Sequence, residues 1–202
     1  MVTAGEISDF VFEIAPNPDW ASENIFQFGD RDTTVTGIGV AWWITTEILQ
    51  QFITDGVTLG LSHERVIYDV RQDYCWGTPC QDDDLRGNRK FTTLCREHGV
   101  AIHQFHSNID IADWGMPRAL VAQLRWTAYS TDWSRGVPVV DHPPVSLADL
   151  IAEVKERLEL PFVRYDGDLN RVVKRIALPW GGLCQWWEGP CCAAPLGIDA
   201  VI

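Results

Sequence analysis

The sequence is short of positive charge. Sixteen Lys and Arg residues stand against 28 Asp and Glu, for a formal net charge of −12. Gripping a phosphate backbone requires a basic footprint, so nucleic-acid binding is not expected. An acidic balance by itself signifies little beyond solubility. Long apolar runs are missing as well. No stretch approaches the roughly 18 apolar residues of a membrane helix. The opening M-V-T-A-G-E-I-S-D has neither the basic nor the apolar region of a secretory signal. A cytoplasmic protein without a membrane partner is expected, with its six cysteines (Cys75, Cys80, Cys95, Cys184, Cys191 and Cys192) as reduced thiols. Cys75-W-G-T-P-Cys80 has four intervening residues, and no second Cys/His pair follows at zinc-knuckle distance, so both read as loop cysteines. Ser62 lacks a surrounding G-x-S-x-G, which excludes a strained nucleophile elbow.

What is present is an ordinary globular composition, 46% hydrophobic and 22% charged over 202 residues, enough for one large or two small domains. Ten tryptophans stand out, and each buries enough area to serve a core or a subunit interface. The informative stretch runs from Val57 to Asp110. Two apolar, β-forming runs, V-T-L-G-L-S-His63-Glu64 and V-A-I-H-Q-F-His106-S-N-I-Asp110, follow Gly56 and Gly99 and each end in histidine. Ligands bind beyond the carboxyl ends of parallel strands, where strand-to-helix loops converge. His63, Glu64, His106 and Asp110 thus share one rim, and their imidazole and carboxylate groups suit a borderline divalent metal.

The flanking elements support that geography. Thr34 to Trp42 reads as a strand in which Gly37 and Gly39 signal close backbone approach by a neighbour. Thr45 or Thr46 caps a helix with Ile48, Leu49, Phe52 and Ile53 at helical spacing, closed by Gly56. Strand, helix and strand 57–62 make a right-handed βαβ unit and a parallel pair. A helix from Glu6 to Ile14 precedes them, with a loop from Asp19 to Asp32; residues 65–88 form a loop excursion. A helix from Arg89 to His98 leads to the second histidine-ended strand, and Pro117 opens another helix. The chain therefore reads as an α/β layer fold, mostly parallel βαβ layers with a mixed C-terminal sheet.

Residues 1–135 form an N-terminal metal-site domain and 136–202 a C-terminal segment packed against it. In the latter, 127–144 is turn-rich, Ser146 caps a helix, and Phe162–Tyr165 with Val172–Leu178 form strands joined through D-G-D-L-N. A weak helix over 183–194 and a strand over 198–202 finish the sequence. A strand ending at Ile202 suggests a shortened chain.

Several segments together resemble the NIF-three-like family, whose members are often labelled type 2 GTP cyclohydrolase I. D-W-A-S-E-N-I-F-Q-F-G-D resembles the family's D-W-D-N-x-G-L-Q-x-G-D, and the strand–helix–strand ending L-S-H-E is similar to its segment ending I-T-H-H-P. Q-F-H-S-N-I-D resembles Y-x-x-H-T-N-L-D, and V-R-Y-D-G-D-L-N-R-V-V-K-R-I-A resembles V-R-x-x-G-D-x-x-x-x-V-x-R-V-A. The resemblance spans nearly the whole chain. It implies a site for two divalent ions (Zn, Fe, Mn or Mg) in a toroidal homo-oligomer, usually a hexamer, with an unidentified small-molecule substrate. His63 matches the first histidine of the family's pair, and His106 and Asp110 match those of H-T-N-L-D. The pair's second histidine is Glu64 here, G-L-Q is I-F-Q, and the late H-x-x-x-E has no counterpart, since no histidine follows His142. On these matches a full two-ion site is not expected.

Glu64 offers a carboxylate oxygen, suited to Mn, Fe or Mg, or else faces solvent. His103 falls on the opposite pleat face from His106 and is not expected in the site. Asn108 is placed to orient a ligand, and His98 and His142 read as surface residues. Two functions fit: a metal-dependent hydrolase, or a non-catalytic metal- or protein-binding module. A third reading is a relic whose metal site is dead.

Overall fold

The computed structural model describes residues 1–16, 18, 24–67, 74–75, 78–79, 86–133, 137–181 and 196–202. The chain divides into two compact units, Met1–Ala112 and Asp113–Ile202. The division falls earlier than the expected 135/136 boundary. Val121, Leu124 and Trp126 belong to the same buried core as Val140, Leu150 and Ile176, so the segment after Asp113 packs with the C-terminal part of the chain.

In the first unit, α1 (Ala4–Ile14) starts with Thr3 and Glu6 in a reciprocal capping box: the Glu6 amide donates to Thr3 Oγ1 (3.2 Å) and the Thr3 amide to Glu6 Oε2 (2.8 Å). The strands β1 (Phe26–Phe28), β2 (Ile38–Ala41) and β3 (Leu59–Ser62) come next, with α2 (Thr46–Thr54) between the last two. Thr45 caps α2, and Gly56 at φ +74° ends it in the left-handed conformation that glycine tolerates. Beyond them lie the two-residue strands β4 (Tyr74–Cys75) and β5 (Thr78–Pro79), α3 (Arg86–His98), β6 (Ala101–Gln104) and the short α4 (Ser107–Ile111).

The sheet order is β1-β6-β3-β2, with β2, β3 and β6 parallel and β1 antiparallel at the edge. Ile38 pairs with Leu59 and Leu59 with Ala101, so Gly39, Gly60 and Ile102 line one face. That face carries α2 and α3 over a core of Ile44, Leu49, Phe91, Cys95 and Ile102. The other face, through Leu59 and Ala101, packs on Ala4 and Ile7 of α1. The backbone approach expected at these glycines is present at Gly37, where a Cβ would lie 3.3 Å from the Val57 Cα; at Gly39 it would instead lie 2.4–2.6 Å from the Phe52 ring of α2. The parallel βαβ layer expected from the sequence is therefore present. The short edge strand β1, within a stretch expected to be loop, is a strand through pairing with β6. Two-sided burial makes all four residues of β6 inaccessible.

In the second unit, α5 (Met116–Gln123) carries Pro117 in its first turn, as expected. It is followed by β7 (Ser130–Asp132), β8 (Val139–Ser146), α6 (Leu147–Arg157), β9 (Val172–Ala177) and β10 (Ala200–Val201). The mixed sheet runs β10-β9-β8-β7, with only β10 and β9 parallel. Two expectations are corrected here. The turn-rich reading of 127–144 conceals β7 and β8: Pro143 and Pro144 look like stop signals, but β8 absorbs them in a register irregularity between Asp141 and Val145. Phe162–Tyr165 is no strand; Phe162 and Tyr165 are exposed, and β9 pairs with β8 and β10 instead. The helix expected over 183–194 and five of the six cysteines lie outside the residues whose side chains are described. Among the described residues, no helix is long and apolar enough to cross a membrane.

Candidate metal centre

Because β3 and β6 are parallel and in register, with Ser62 opposite Gln104, both chains leave the sheet at the same edge. His63 is the first residue beyond β3. His106 lies two residues beyond β6 at the start of α4, and Asp110 sits one turn on, its amide donating to the His106 carbonyl (3.2 Å). The result is a group of three: one donor atom each from His63, His106 and Asp110 lie within 4.8 Å of one another. His63 Nε2 is 3.1 Å from Asp110 Oδ1, and the two imidazole centroids are 4.4 Å apart at 57°. His63 and Asp110 are buried and His106 is half-buried.

Glu64 is not in that group. Its side chain is 42% exposed and its Oε1 stands 3.7 Å from His63 Nδ1. Its carboxylate reaches back only to the Nδ1 side of His63, whereas Asp110 meets the same ring at Nε2. His103 is also outside the group, as its strand position predicts. It faces α1, where its Nε2 is 3.0 Å from Ser8 Oγ and its Nδ1 2.8 Å from the Gln104 carbonyl. Burial pushes its pKa down to about 4, against the opposing pull of the carbonyl, and Arg31 adds to the lowering. His98 ends α3 exposed, where a histidine suits the helix dipole. His142 is corrected: it is buried in β8, with Nε2 3.4 Å from Glu153 Oε2, a carboxylate that also accepts from Trp126 Nε1. The same prolines that hid β8 made it look like a loop residue.

The residues that fix the rim are mostly amides that carry no motif. Gln104 Nε2 donates to the His63 carbonyl (3.1 Å), and its Oε1 accepts from Gln27 Nε2 (2.6 Å). Gln27 Oε1 in turn accepts from the amides of Val66 and Ile67 (2.8 and 2.9 Å). This chain ties β1, β6 and the loop after β3 together and ends on the His63 carbonyl. Asn24 Oδ1 accepts from the His106 amide (2.6 Å), and its Nδ2 donates to Ser107 Oγ (3.2 Å). Asn108 is fully buried, and its amide anchors α4 to the Ala15 carbonyl at the end of α1 (3.1 Å) rather than touching the three donors. Trp42 lies flat on His63, with centroids 3.8 Å apart at 11°. The only signal for Gln27 or Gln104 in the sequence was a polar residue in or beside a β-forming run.

These residues fit a divalent ion. The His63 nitrogen that faces Asp110 is Nε2, 3.1 Å from Oδ1, and with His106 it completes a donor set within 4.8 Å. Two imidazoles and a carboxylate suit Zn, Fe or Mn. A tetrahedral ion with bonds near 2.1 Å spaces its donors about 3.4 Å apart, so the spread seen closes with side-chain rotations of about an ångström.

A model of the Duf34/NIF3 family (NGG1p interacting factor 3) matches residues 3–202. This chain belongs to that family. It is 27% identical over 215 residues to the GTP cyclohydrolase 1 type 2 homolog of Clostridium perfringens, covering 98% of this chain and 75% of that protein. Its fold is that of the Staphylococcus aureus hypothetical protein SA1388, with a TM-score of 0.65, 18% identity and coverage of 99% of this chain and 78% of that one. The Bacillus cereus protein related to NIF3 is similar too, with a TM-score of 0.66, 13% identity and coverage of 98% and 81%. The Duf34/NIF3 membership agrees with the family resemblance carried by the H-S-N-I-D and R-Y-D-G-D segments.

Proposed function

We propose that this Duf34/NIF3 protein binds one divalent metal ion through His63, His106 and Asp110 and serves as a metal-dependent hydrolase. The observation that carries the reading is the convergence of these three donors within 4.8 Å at the rim of two parallel strands. A bound ion would lower the pKa of water and polarise a phosphoryl or amide group. The protein's own part is to fix the donors: Gln104 holds the His63 backbone, Asn24 the His106 amide, and α4 positions Asp110. Buried His63 and Asp110 limit water at the donors, while half-buried His106 keeps the site open to a substrate. The name of the Clostridium perfringens relative, GTP cyclohydrolase 1 type 2 homolog, supports a nucleotide-like substrate.

Two imidazoles and one carboxylate make a complete set for one ion with open positions, as in the two-histidine, one-carboxylate sites of non-haem iron. A second ion has no further donor group among the described residues. That observation favours a second reading, a non-catalytic metal-binding module. Self-association, implied by family resemblance, belongs to the same proposal. Elemental analysis of purified protein and of His106→Ala tests the site: close to one ion per chain is expected in the first and little in the second. Turnover of phosphoesters by the loaded protein separates hydrolase from module, and equal metal content in both proteins would refute the assignment.

A further inference from the structure

We propose that Trp42 is the wall on which the ligand of this site stacks a planar heteroaromatic ring, and that the ligand carries an anionic group several bonds from that ring. The inference rests on the metal reading above. Trp42 follows β2 directly, and its carbonyl accepts from the Glu64 amide (2.8 Å), so its backbone is locked to the rim. One indole face is covered by His63 at 3.8 Å, nearly parallel. Yet Trp42 remains 59% exposed, so the free area lies on the opposite face and the ring edge. A large apolar face left open against a buried polar group is costly ornament for a free protein, and useful for a ligand that needs both.

The chemistry of the ligand is set by the two neighbours. An ion held by two neutral imidazoles and one carboxylate keeps a net positive charge, which selects an anionic oxygen. The exposed indole face selects a flat π-system, because stacking is tolerant of base identity but not of its absence. A ring stacked on the outer face lies roughly 7 Å from the imidazole plane, one aromatic spacing beyond the 3.8 Å already measured. A base, a sugar-sized spacer and a phosphate match that span; a phosphate attached straight to the ring does not.

The probes are adenosine 5′-monophosphate and ribose 5-phosphate, which differ only in the base, titrated calorimetrically into Mn2+-loaded protein. Wild type is expected to bind the nucleotide about tenfold more tightly than the sugar phosphate, within the range that stacking on an aromatic side chain supplies. Trp42→Leu brings the ratio to within about twofold with Mn2+ content unchanged, and Trp42→Phe keeps most of the preference. Trp42→Gln is a second variant should leucine impair folding. Equal binding of the two probes to wild type overturns the proposal, as does a ratio that survives both Trp42→Leu and Trp42→Gln. Loss of Mn2+ from those variants overturns it too, making Trp42 a prop for His63 instead. If wild type itself retains no Mn2+, the metal reading fails separately. The same titrations without metal then decide: a Trp42-dependent tenfold ratio upholds the wall, and its absence refutes it.

Discussion

Acidification should destabilise the first unit through one side chain, His103. It is 2% exposed, ringed by Phe12, Phe26 and Phe105, and bound on both nitrogens. The Gln104 carbonyl can only accept, so Nδ1 carries the proton and Nε2 accepts from the Ser8 hydroxyl. A second proton would place a full charge in an apolar pocket, which is why its pKa sits at about 4 in the fold, against about 6.5 in the unfolded chain. The folded pKa is the lower one, so the unfolded state binds more protons as pH falls. The stabilisation is thus complete above pH 6.5 and lost between there and pH 4. The full difference is about 3 kcal/mol, of which about 2 kcal/mol disappears between pH 7 and 4.5. Carboxylates titrate in the same window, so the comparison is with His103→Gln, which keeps a polar group but cannot protonate. Urea unfolding of both proteins in chelator, with hydrogen exchange at β6 amides alongside, reads the two slopes. Wild type should lose about 2 kcal/mol more than the variant. Parallel slopes, within about 0.5 kcal/mol, would refute the account of His103 as a neutral buried imidazole.

Three further outcomes are expected from contacts around the same sheet. Gly39→Ala would drive a methyl into the Phe52 ring at 2.4–2.6 Å and should cost about 1–3 kcal/mol, read as a lowered Tm; an unchanged Tm would mean α2 shifts freely over the sheet. Burial pushes the Cys95 thiol up to about 12, so the folded protein should leave the Cys95 peptide unalkylated by iodoacetamide at pH 8 and expose it only in denaturant. Gln104→Leu removes both the donor to the His63 carbonyl and the partner of Gln27, and should weaken metal retention about 10- to 100-fold; retention equal to wild type would show that the amide chain does not set the site.

The parts of the fold legible in the sequence are those whose signals are local. Thr45, Gly56, Gly99, Pro117 and Ser146 punctuate helices and strands by conformational preference alone, and each stands where the elements turn. The grouping of His63, His106 and Asp110 was legible because two strand ends carry histidine and parallel pairing brings such ends to one rim. What escaped was non-local or disguised. β1 is a strand through its pairing with β6, and three residues, F-Q-F, are too few for their alternation to announce it. β8 carries two prolines that a lone strand rejects but a shifted register accommodates. The boundary at Ala112/Asp113 is set by Trp126 and its neighbours joining the second core, a fact of packing that spacing cannot reveal.

The same distinction separates Glu64, which stands outside the three-residue group, from Gln27 and Gln104, which the sequence does not mark. A carboxylate beside a histidine looks like a ligand when residues are counted along the chain, yet Glu64 is 42% exposed and stands at the Nδ1 side of His63, 3.7 Å away. Asp110 succeeds because α4 folds the chain back: the helical turn from His106 to Asp110 carries the carboxylate to within 3.1 Å of the His63 imidazole. The amides succeed for a different reason. A strand end is only as rigid as the backbone beyond its last ladder bond, and here Gln104 and Gln27 supply bonds to the His63 carbonyl and the Val66 and Ile67 amides. Holding two imidazoles within 4.4 Å of each other therefore depends, besides the Asp110 carboxylate, on neutral groups that recognition of ligand types passes over.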